Sequence, residues 1–369
     1  MQARYTQVKI IYEGHDITRD LEPYLLSFTF NDNSGDKADD IAIQIQDRDG
    51  KFLSDWAVSK SDKITCSIVI HDENIMSLPC GIFEVDQIEY SFPPHVLNIK
   101  GVSTAISKGM RSENHTRAWE NVNISTICGD IANSHGLKLF YDAPEYMIER
   151  REQVSKPDIE FLSSLCGDYG LSVKVRDNKL IIYDIEEYEA HESVSEILLS
   201  DKKILSCKFT SKSVEVYRKC RVKYHHSVKH EEYEGEYEDE NEEGSERELE
   251  IREYAESNSQ AQKIAEKRIK TGNKKEITCS INLMGDLRYS GGQNVTLCEA
   301  GMFSGKYTIT KATHKIDSSG YTTSLELGET GKSKSQTKAH KKKRTGKNKK
   351  ASTSEIFYEG TKYYGYKPE

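Results

Sequence analysis

The sequence predicts a β-rich α+β fold, and three observations carry that reading. Short runs in which apolar residues alternate fill the first hundred positions and return after about residue 200. Between them the apolar spacing lengthens to three and four residues, the period of a helix. Beyond Leu327 the apolar pattern stops.

Residues 1–105 read as strands. Ile41, Ile43 and Ile45 alternate along one stretch, as do Ile64, Cys66, Ile68 and Ile70 along another. Turn-forming clusters such as Asn31-Asp32-Asn33-Ser34-Gly35 and Asp47-Arg48-Asp49-Gly50 separate them. Short strands at this spacing suit a sandwich or a barrel. The pair Pro93-Pro94 interrupts the last hairpin and fits an edge or a loop.

Residues 106–199 read as a small α+β domain. Ile124, Ile127, Cys128, Ile131 and Ala132 share one helical face, with Asn123 placed as the cap and Gly136 beyond the end. Asp158 is placed to cap a second helix that carries Phe161, Leu162, Leu165, Cys166 and Tyr169 and closes at Gly170. A hairpin turning at Asp177-Asn178 then joins Leu171–Val175 to Leu180–Tyr183.

Strands return over 200–328. Val214, Val216, Cys220, Val222 and Tyr224 fall on one face, with Glu215, Lys219, Arg221 and Lys223 on the other. Ile277, Cys279, Ile281 and Leu283 alternate again, as do Tyr321, Thr323, Leu325 and Leu327. A helix at 258–271 interrupts this series through Ala261, Ile264, Ala265 and Ile269. Ser257 and Gln260 form a capping box before it, and Gly272 takes the C′ position.

Two segments have the composition of solvated chain. Residues 231–256 hold 14 acidic residues in 26 and read as an acidic surface insertion, with Gly235 and Gly244 as breakers. Residues 329–369 read as a flexible basic tail, with ten Lys and Arg and no acid between Thr330 and Ser354. Its aromatic end, Phe357, Tyr358, Tyr363, Tyr364 and Tyr366, is a candidate partner-docking anchor on a tether. The whole chain carries 52 basic and 60 acidic residues, a net charge of -8. Twelve of the basic and three of the acidic residues lie from Thr330 onward, which leaves the body at -17. Such a body repels DNA, and no specific nucleic acid is expected as a partner.

No apolar stretch is long enough to cross a bilayer as a helix, so no membrane insertion is expected. The start, MQARYTQVKIIYEG, lacks the apolar core of a signal peptide, which points to synthesis in the cytoplasm. Eight cysteines stand at 66, 80, 128, 166, 207, 220, 279 and 298, the closest two thirteen residues apart. Without a CxxC pair, they read as reduced core residues.

The search for chemistry is negative. HExxH, GxSxG and GxGxxG are all missing from the sequence. Gly331-Lys332-Ser333 ends like a P-loop, but Glu326 stands where the first glycine belongs. His225-His226 with His230 has metal-ligand chemistry, yet neighbours on a strand point to opposite faces, so a solvated strand end is the favoured reading. No catalytic residue, metal site or cofactor is assigned.

Three stretches carry a resemblance. Ile124-x-x-Ile127-Cys128-x-x-Ile131-Ala132-x-x-His135-Gly136-Leu137 is the first, and Asp158-x-x-Phe161-Leu162-x-x-Leu165-Cys166-x-x-Tyr169-Gly170-Leu171 the second. The third runs Gly301-Met302-Phe303-Ser304-Gly305-Lys306-Tyr307-Thr308-Ile309, then His314, then Gly320-Tyr321-Thr322-Thr323-Ser324-Leu325-Glu326-Leu327. Together they resemble the phage late control protein D family, the baseplate hubs of contractile phage tails and phage-tail-like bacteriocins. The hub part of type VI secretion spikes is related to it.

The resemblance covers residues 1–328. It implies two antiparallel tube-type β-barrels, at 1–105 and 200–328, flanking the small domain. It also implies a homotrimer in which the barrels make a ring. The partners it implies are the central spike protein on one side and the tail tube or a tube-initiator protein on the other. Baseplate wedge and tape measure proteins are further neighbours. The implied place is the baseplate of a virion tail or tail-like particle, assembled in the bacterial host cytoplasm. No segment resembles the lysozyme or peptidase domains fused to some hubs, so a structural role is expected. A tail-associated peptidoglycan hydrolase is the competing class.

Overall fold

The computed structural model describes residues 4–330 except 36, 105–107, 177, 213–215, 227–229, 240–246, 253–254, 256 and 274–276. The expected basic tail therefore lies outside the described residues from 331 onward.

One sheet of thirteen strands runs through both ends of the chain. Its N-terminal half sets Leu25–Asn33, Asp40–Gln46, Val96–Ser103, Met76–Ser91, Lys63–His71 and Tyr5–Tyr12 side by side, each antiparallel to the next. Its C-terminal half sets Ile204–Ser211, Ile277–Met284, Gly320–Glu329, Gly305–Asp317 and Asn294–Cys298 in order, also antiparallel. Ser195–Leu198 adds a parallel strand beyond. The halves join where Gly305–Asp317 pairs with Leu25–Asn33, from Lys311 opposite Asn33 to Asp317 opposite Ser27. Among the described residues the strand pairs close no ring, and the two barrel regions expected at 1–105 and 200–328 are here parts of one sheet. The exposed N–H and C=O groups along the Leu25–Asn33 edge explain the join, because an uncovered strand edge seeks a partner.

Each half keeps its own core. Phe28, Phe30, Ile41, Ile68 and Phe83 fill the first, and Ile281, Val295, Leu297, Ile309 and Leu325 the second, all of them fully buried. Burying each such side chain contributes about 1.5–3 kcal/mol.

In the middle region the two helices and the hairpin are present, together with an unexpected two-stranded sheet, Asn114–Asn123 with Met147–Pro157. Helices Ile124–Ser134 and Asp158–Asp168 share a core with the strands Leu171–Arg176 and Lys179–Asp184, and Lys138–Asp142 joins that sheet in parallel. Gly136 (φ 67) and Gly170 (φ 71) end the two helices in the left-handed conformation that glycine adopts without strain. The caps differ in detail. Asn123 occupies the cap position without a side-chain hydrogen bond, and Pro157 rather than Asp158 caps the second helix. Asp158 is drawn inward instead, as its ion pairs below explain.

The main correction concerns the acidic insertion. Glu231–Glu238 and Glu248–Arg252 are strands flanking Lys219–His226, and the helix Asn258–Asn273 packs across them. Every second residue explains why: Tyr233, Gly235, Tyr237, Leu249 and Ile251 face the helix, and glutamates between them face solvent. Gly235 is not a breaker. A Cβ there would lie 2.1 Å from the backbone nitrogen of Gln262, so the helix can approach only bare backbone. Gly244 lies outside the described residues. Ser257 Oγ accepts the Gln260 N–H at 3.2 Å, as the capping box requires, whereas Gly272 falls inside the last helical turn. All eight cysteines are free thiols, six buried and two, Cys207 and Cys298, half-buried.

Candidate functional site

Among the described residues, three clusters of charge stand out, each centred on a buried aspartate. The first lies where the two halves meet the middle domain. Asp32, 1% exposed, has Lys174 Nζ at 3.0 Å and Arg176 at 3.5 Å, both from the strand Leu171–Arg176. Burial pushes the Asp32 carboxyl up, but Lys174 and Arg176 outweigh it and hold its pKa below the usual range. Lys174 also donates to the Gly291 carbonyl at 3.4 Å. Gly291 itself sits so close that a Cβ would lie 2.7 Å from the Asp32 carbonyl oxygen. Nearby Asp39 accepts the Asn33 N–H at 2.9 Å, and burial pushes its pKa up to about 6.

His314, a residue of the closing motif, belongs to the same junction and is fully buried. Its Nε2 lies 3.0 Å from the Tyr289 carbonyl and its Nδ1 2.8 Å from the Tyr321 hydroxyl. A carbonyl only accepts, so Nε2 carries the proton and Nδ1 accepts from Tyr321. Burial lowers the His314 pKa, which keeps the ring neutral, stacked 6.0 Å from Phe30. This histidine is a bracket between strands.

The second cluster centres on Asp158 in the middle domain. Gln153 Nε2 donates to it at 2.7 Å, His135 Nε2 lies at 2.7 Å, and Arg117 pairs with it. Burial raises the Asp158 pKa, yet hydrogen bonds from Gln153, His135 and Arg117 prevail and lower it. The third cluster fastens the helix Asn258–Asn273 to the middle domain. Asp168 meets Arg151 at 2.7 Å and Arg268 at 3.4 Å, while Lys267 and Lys270 lie 3.2 and 3.1 Å from Glu186.

Asp32, Asp39, Asp158 and Asp168 are buried, whereas Glu186 is exposed. Thr6, Val8, Leu26 and Lys315 are among the residues lining a groove of about 610 Å³, and Tyr183, Lys208, Thr310 and Glu326 help to line another of about 700 Å³. Asp32, Asp39, Asp158, Asp168 and His314 line neither. Among the described residues no three His, Cys, Asp or Glu side chains are grouped to hold a metal. His225 lies 3.8 Å from Glu232 at a strand end. The clusters join parts of the molecule, and the arrangement offers edges and faces rather than a reacting centre.

The sequence-expected anchor residues Phe357, Tyr358, Tyr363, Tyr364 and Tyr366 lie outside the described residues. Sequence reading missed the junction because Asp32 sits in a cluster that reads as a turn, and Lys174 follows 142 residues later. Lys174 and Arg176 alternate with the core residues Val173 and Val175, so with Ser172 they lie on the opposite strand face and read as an ordinary polar face. No helix among the described residues is long and apolar enough to cross a membrane.

Comparison with known proteins agrees with this architecture. A family described as YQBQ-like matches residues 161–328. A probable baseplate hub protein of Escherichia phage 186 is 26% identical over 170 residues, 46% of this chain and 42% of that protein. Its counterpart in Escherichia phage P2 is 26% identical over 183 residues, 47% of this chain and 43% of that protein. The matched region thus spans well under half of these relatives. Among solved structures, a tail protein from Neisseria meningitidis MC58 aligns with a TM-score of 0.68 at 12% identity, covering 88% of this chain and 97% of that one. An Escherichia coli component of the type VI secretion system aligns at 0.52 with 10% identity, over 83% of this chain and 73% of that one. These structural likenesses establish the fold. The two sequence matches make part of this chain similar to phage baseplate hub proteins.

Proposed function

We propose that the chain is the structural hub of a contractile-tail baseplate, or of a tail-like bacteriocin, linking the tail tube to the central spike. The observation that carries this reading is the match of nearly half of the chain to two phage hub proteins. One sheet through both halves, with Asp32, Asp158 and Asp168 buried in ion pairs, supports a chain built to present surfaces. On this reading the chain forms a homotrimer, and its two halves act as tube-type barrels in a ring. The spike binds one side of that ring and the tube or a tube initiator the other, with wedge and tape measure proteins adjoining. Assembly takes place in the host cytoplasm, and the hub has no enzymatic role. The tail beyond Thr330 acts as a tether, with Phe357, Tyr358, Tyr363, Tyr364 and Tyr366 docking on a neighbouring baseplate protein.

A mass measurement of the full chain mixed with its spike protein tests the proposal, and three hub copies per complex are expected. A dimer or tetramer contradicts the trimer, and clearing of a cell-wall suspension by the purified chain contradicts the structural role. Particles built with a chain truncated after Leu327 are expected to be incomplete, and complete particles remove the tail anchor.

A further inference from the structure

The two halves of the sheet are copies of one design. Beginning at Leu25–Asn33, the first half places its strands in the spatial order first, second, fifth, fourth, third of the chain. Beginning at Ile204–Ser211, the second half does the same, ending at Asn294–Cys298. Irregularities fall at the same places. The first strand of each unit skips one residue against its neighbour, Leu26 in one and Leu205 in the other. The fourth strand skips Asp86 in one unit and Thr310 in the other. Aligned on these bulges, Phe28 and Phe30 correspond to Cys207 and Phe209, and Gln87–Ser91 to Lys311–Lys315.

The units differ in what covers them. In the second unit, the far end of the fourth strand pairs with the first strand of the other unit. There Phe28, Phe30, Ala312 and His314 are all fully buried. The counterparts in the repeat are left uncovered. Strand Lys63–His71 pairs with the fourth strand of the first unit only as far as Glu84, and beyond it Gln87–Ser91 pairs with Val96–Ser103 on one side while no strand among the described residues takes its other edge. Ile204–Ser211 ends the sheet, and among the described residues no strand takes its other edge. Accordingly Cys207, Phe209, Ile88 and Tyr90, which face the cores as their counterparts do, remain only half-buried.

We infer that a second copy of this chain completes both edges, the strand Gln87–Ser91 of one copy pairing antiparallel with Lys208–Lys212 of the next. Carrying over the in-chain register puts Gln87 opposite Lys212, Glu89 opposite Thr210, Tyr90 opposite Phe209 and Ser91 opposite Lys208. Tyr90 and Phe209 then repeat the stacked pair His314 and Phe30. Glu89 and Thr210 repeat Thr313 and Asn31, whose side chains hydrogen-bond at 2.8 Å. The contact is head-to-tail, because the two edges lie on different parts of the chain, and such a contact propagates until a ring closes. The inference deepens the proposed ring and rests on that reading for the presence of several copies.

Cysteine pairing within host-assembled particles tests it. Directly opposed residues of an antiparallel pair have Cα atoms about 4.5–5.5 Å apart, within disulfide reach. Full chains carrying Glu89→Cys with Thr210→Cys are expected to lose the monomer band and give covalent multimers under mild oxidation. Chains carrying Glu89→Cys with Ser206→Cys, four residues out of register, are expected to stay monomeric on the same denaturing gel. Both pairs lie at solvent-facing or half-exposed positions, and particle incorporation reports that the variants fold. If particles hold several copies but the matched pair stays monomeric, or the shifted pair cross-links as well, this edge pairing is overturned and the ring survives. If particles hold a single copy, both fall.

Discussion

Charge is handled in opposite ways by the middle domain and by the three-stranded sheet beside it. Around Asp158 one carboxylate is sealed from water and held by Arg117, His135 and Gln153. On the sheet formed by Lys219–His226, Glu231–Glu238 and Glu248–Arg252, the charges stand in solvent. There Lys219 and Arg221 meet Glu236 at 2.6 and 2.9 Å, and Lys223 meets Glu250 at 3.7 Å. The distances are alike, but the consequences are not. A sealed partner cannot turn to water when its mate is removed, whereas a solvated one can. What the difference teaches is that burial, more than charge density, decides which of this chain's many acidic residues matter to its stability.

Removing the sealed charge should have the largest effect. Asp158→Ala leaves Arg117 and His135 without their carboxylate, and a loss of about 3–5 kcal/mol is expected by urea unfolding of the full chain. A loss no larger than that of an exposed pair would erase the contrast. Acid should act in the same direction. The Asp158 and Asp32 pKa values are lowered in the fold, so their contribution is complete above the ordinary carboxylate range. It drains away as pH falls through the lower native values, and thermal unfolding of the Asp158→Ala chain should show a weaker acid dependence than the parent.

Next in size is Gly235→Ala. It pushes a methyl group into the backbone of the helix Asn258–Asn273 and is expected to cost about 1–3 kcal/mol. Faster hydrogen exchange confined to that helix and its sheet would mark the effect as local. Unchanged exchange would mean the helix moves aside freely.

Asp39 sharpens the comparison from the other side, since it is sealed without adequate compensation. Its native pKa near 6 exceeds the unfolded value, so stability falls as pH rises from about 4 to 6 and stays lowered above. Asp39→Asn, whose amide oxygen can still accept the Asn33 N–H, should therefore stabilise the chain by about 1–3 kcal/mol at pH 8 and by almost nothing at pH 4. Equal gains at both values would show that the carboxylate charge is not the cause.

The smallest effect belongs to the solvated ladder. Arg221→Ala is expected to cost less than about 1 kcal/mol, with the cost shrinking further in high salt. A larger loss would mean the ladder acts as a network.

These regions also differ in how plainly the sequence announced them. Ile41, Ile43 and Ile45, or the helical spacing from Ile124 to Ala132, are legible because a period of two or of three to four is local information. Glu231–Glu238 hides the same period of two beneath its glutamates, so bulk composition outweighs Tyr233, Gly235 and Tyr237. Asp158 stands at a helix start, where a capping role is the ordinary expectation, and nothing local reveals that Arg117 and His135 converge on it. The Asp32–Lys174 contact and the pairing of Leu25–Asn33 with Gly305–Asp317 join residues far apart in the chain. Their partners are chosen by topology, which no short window of sequence contains.

That pairing of the early strand Leu25–Asn33 with the late strand Gly305–Asp317 has a consequence for how the chain is made. Synthesis runs at about 5–20 residues per second, so the first strand waits on the order of half a minute before the other leaves the ribosome. Through that interval Phe28 and Phe30 belong to a nascent strand whose cover does not yet exist. Contacts of such long sequence separation also form slowly once available. The nascent chain therefore spends its youth with a sticky edge on show, and its yield in a cell should depend on chaperones and on temperature far more than the stability of the finished fold would suggest.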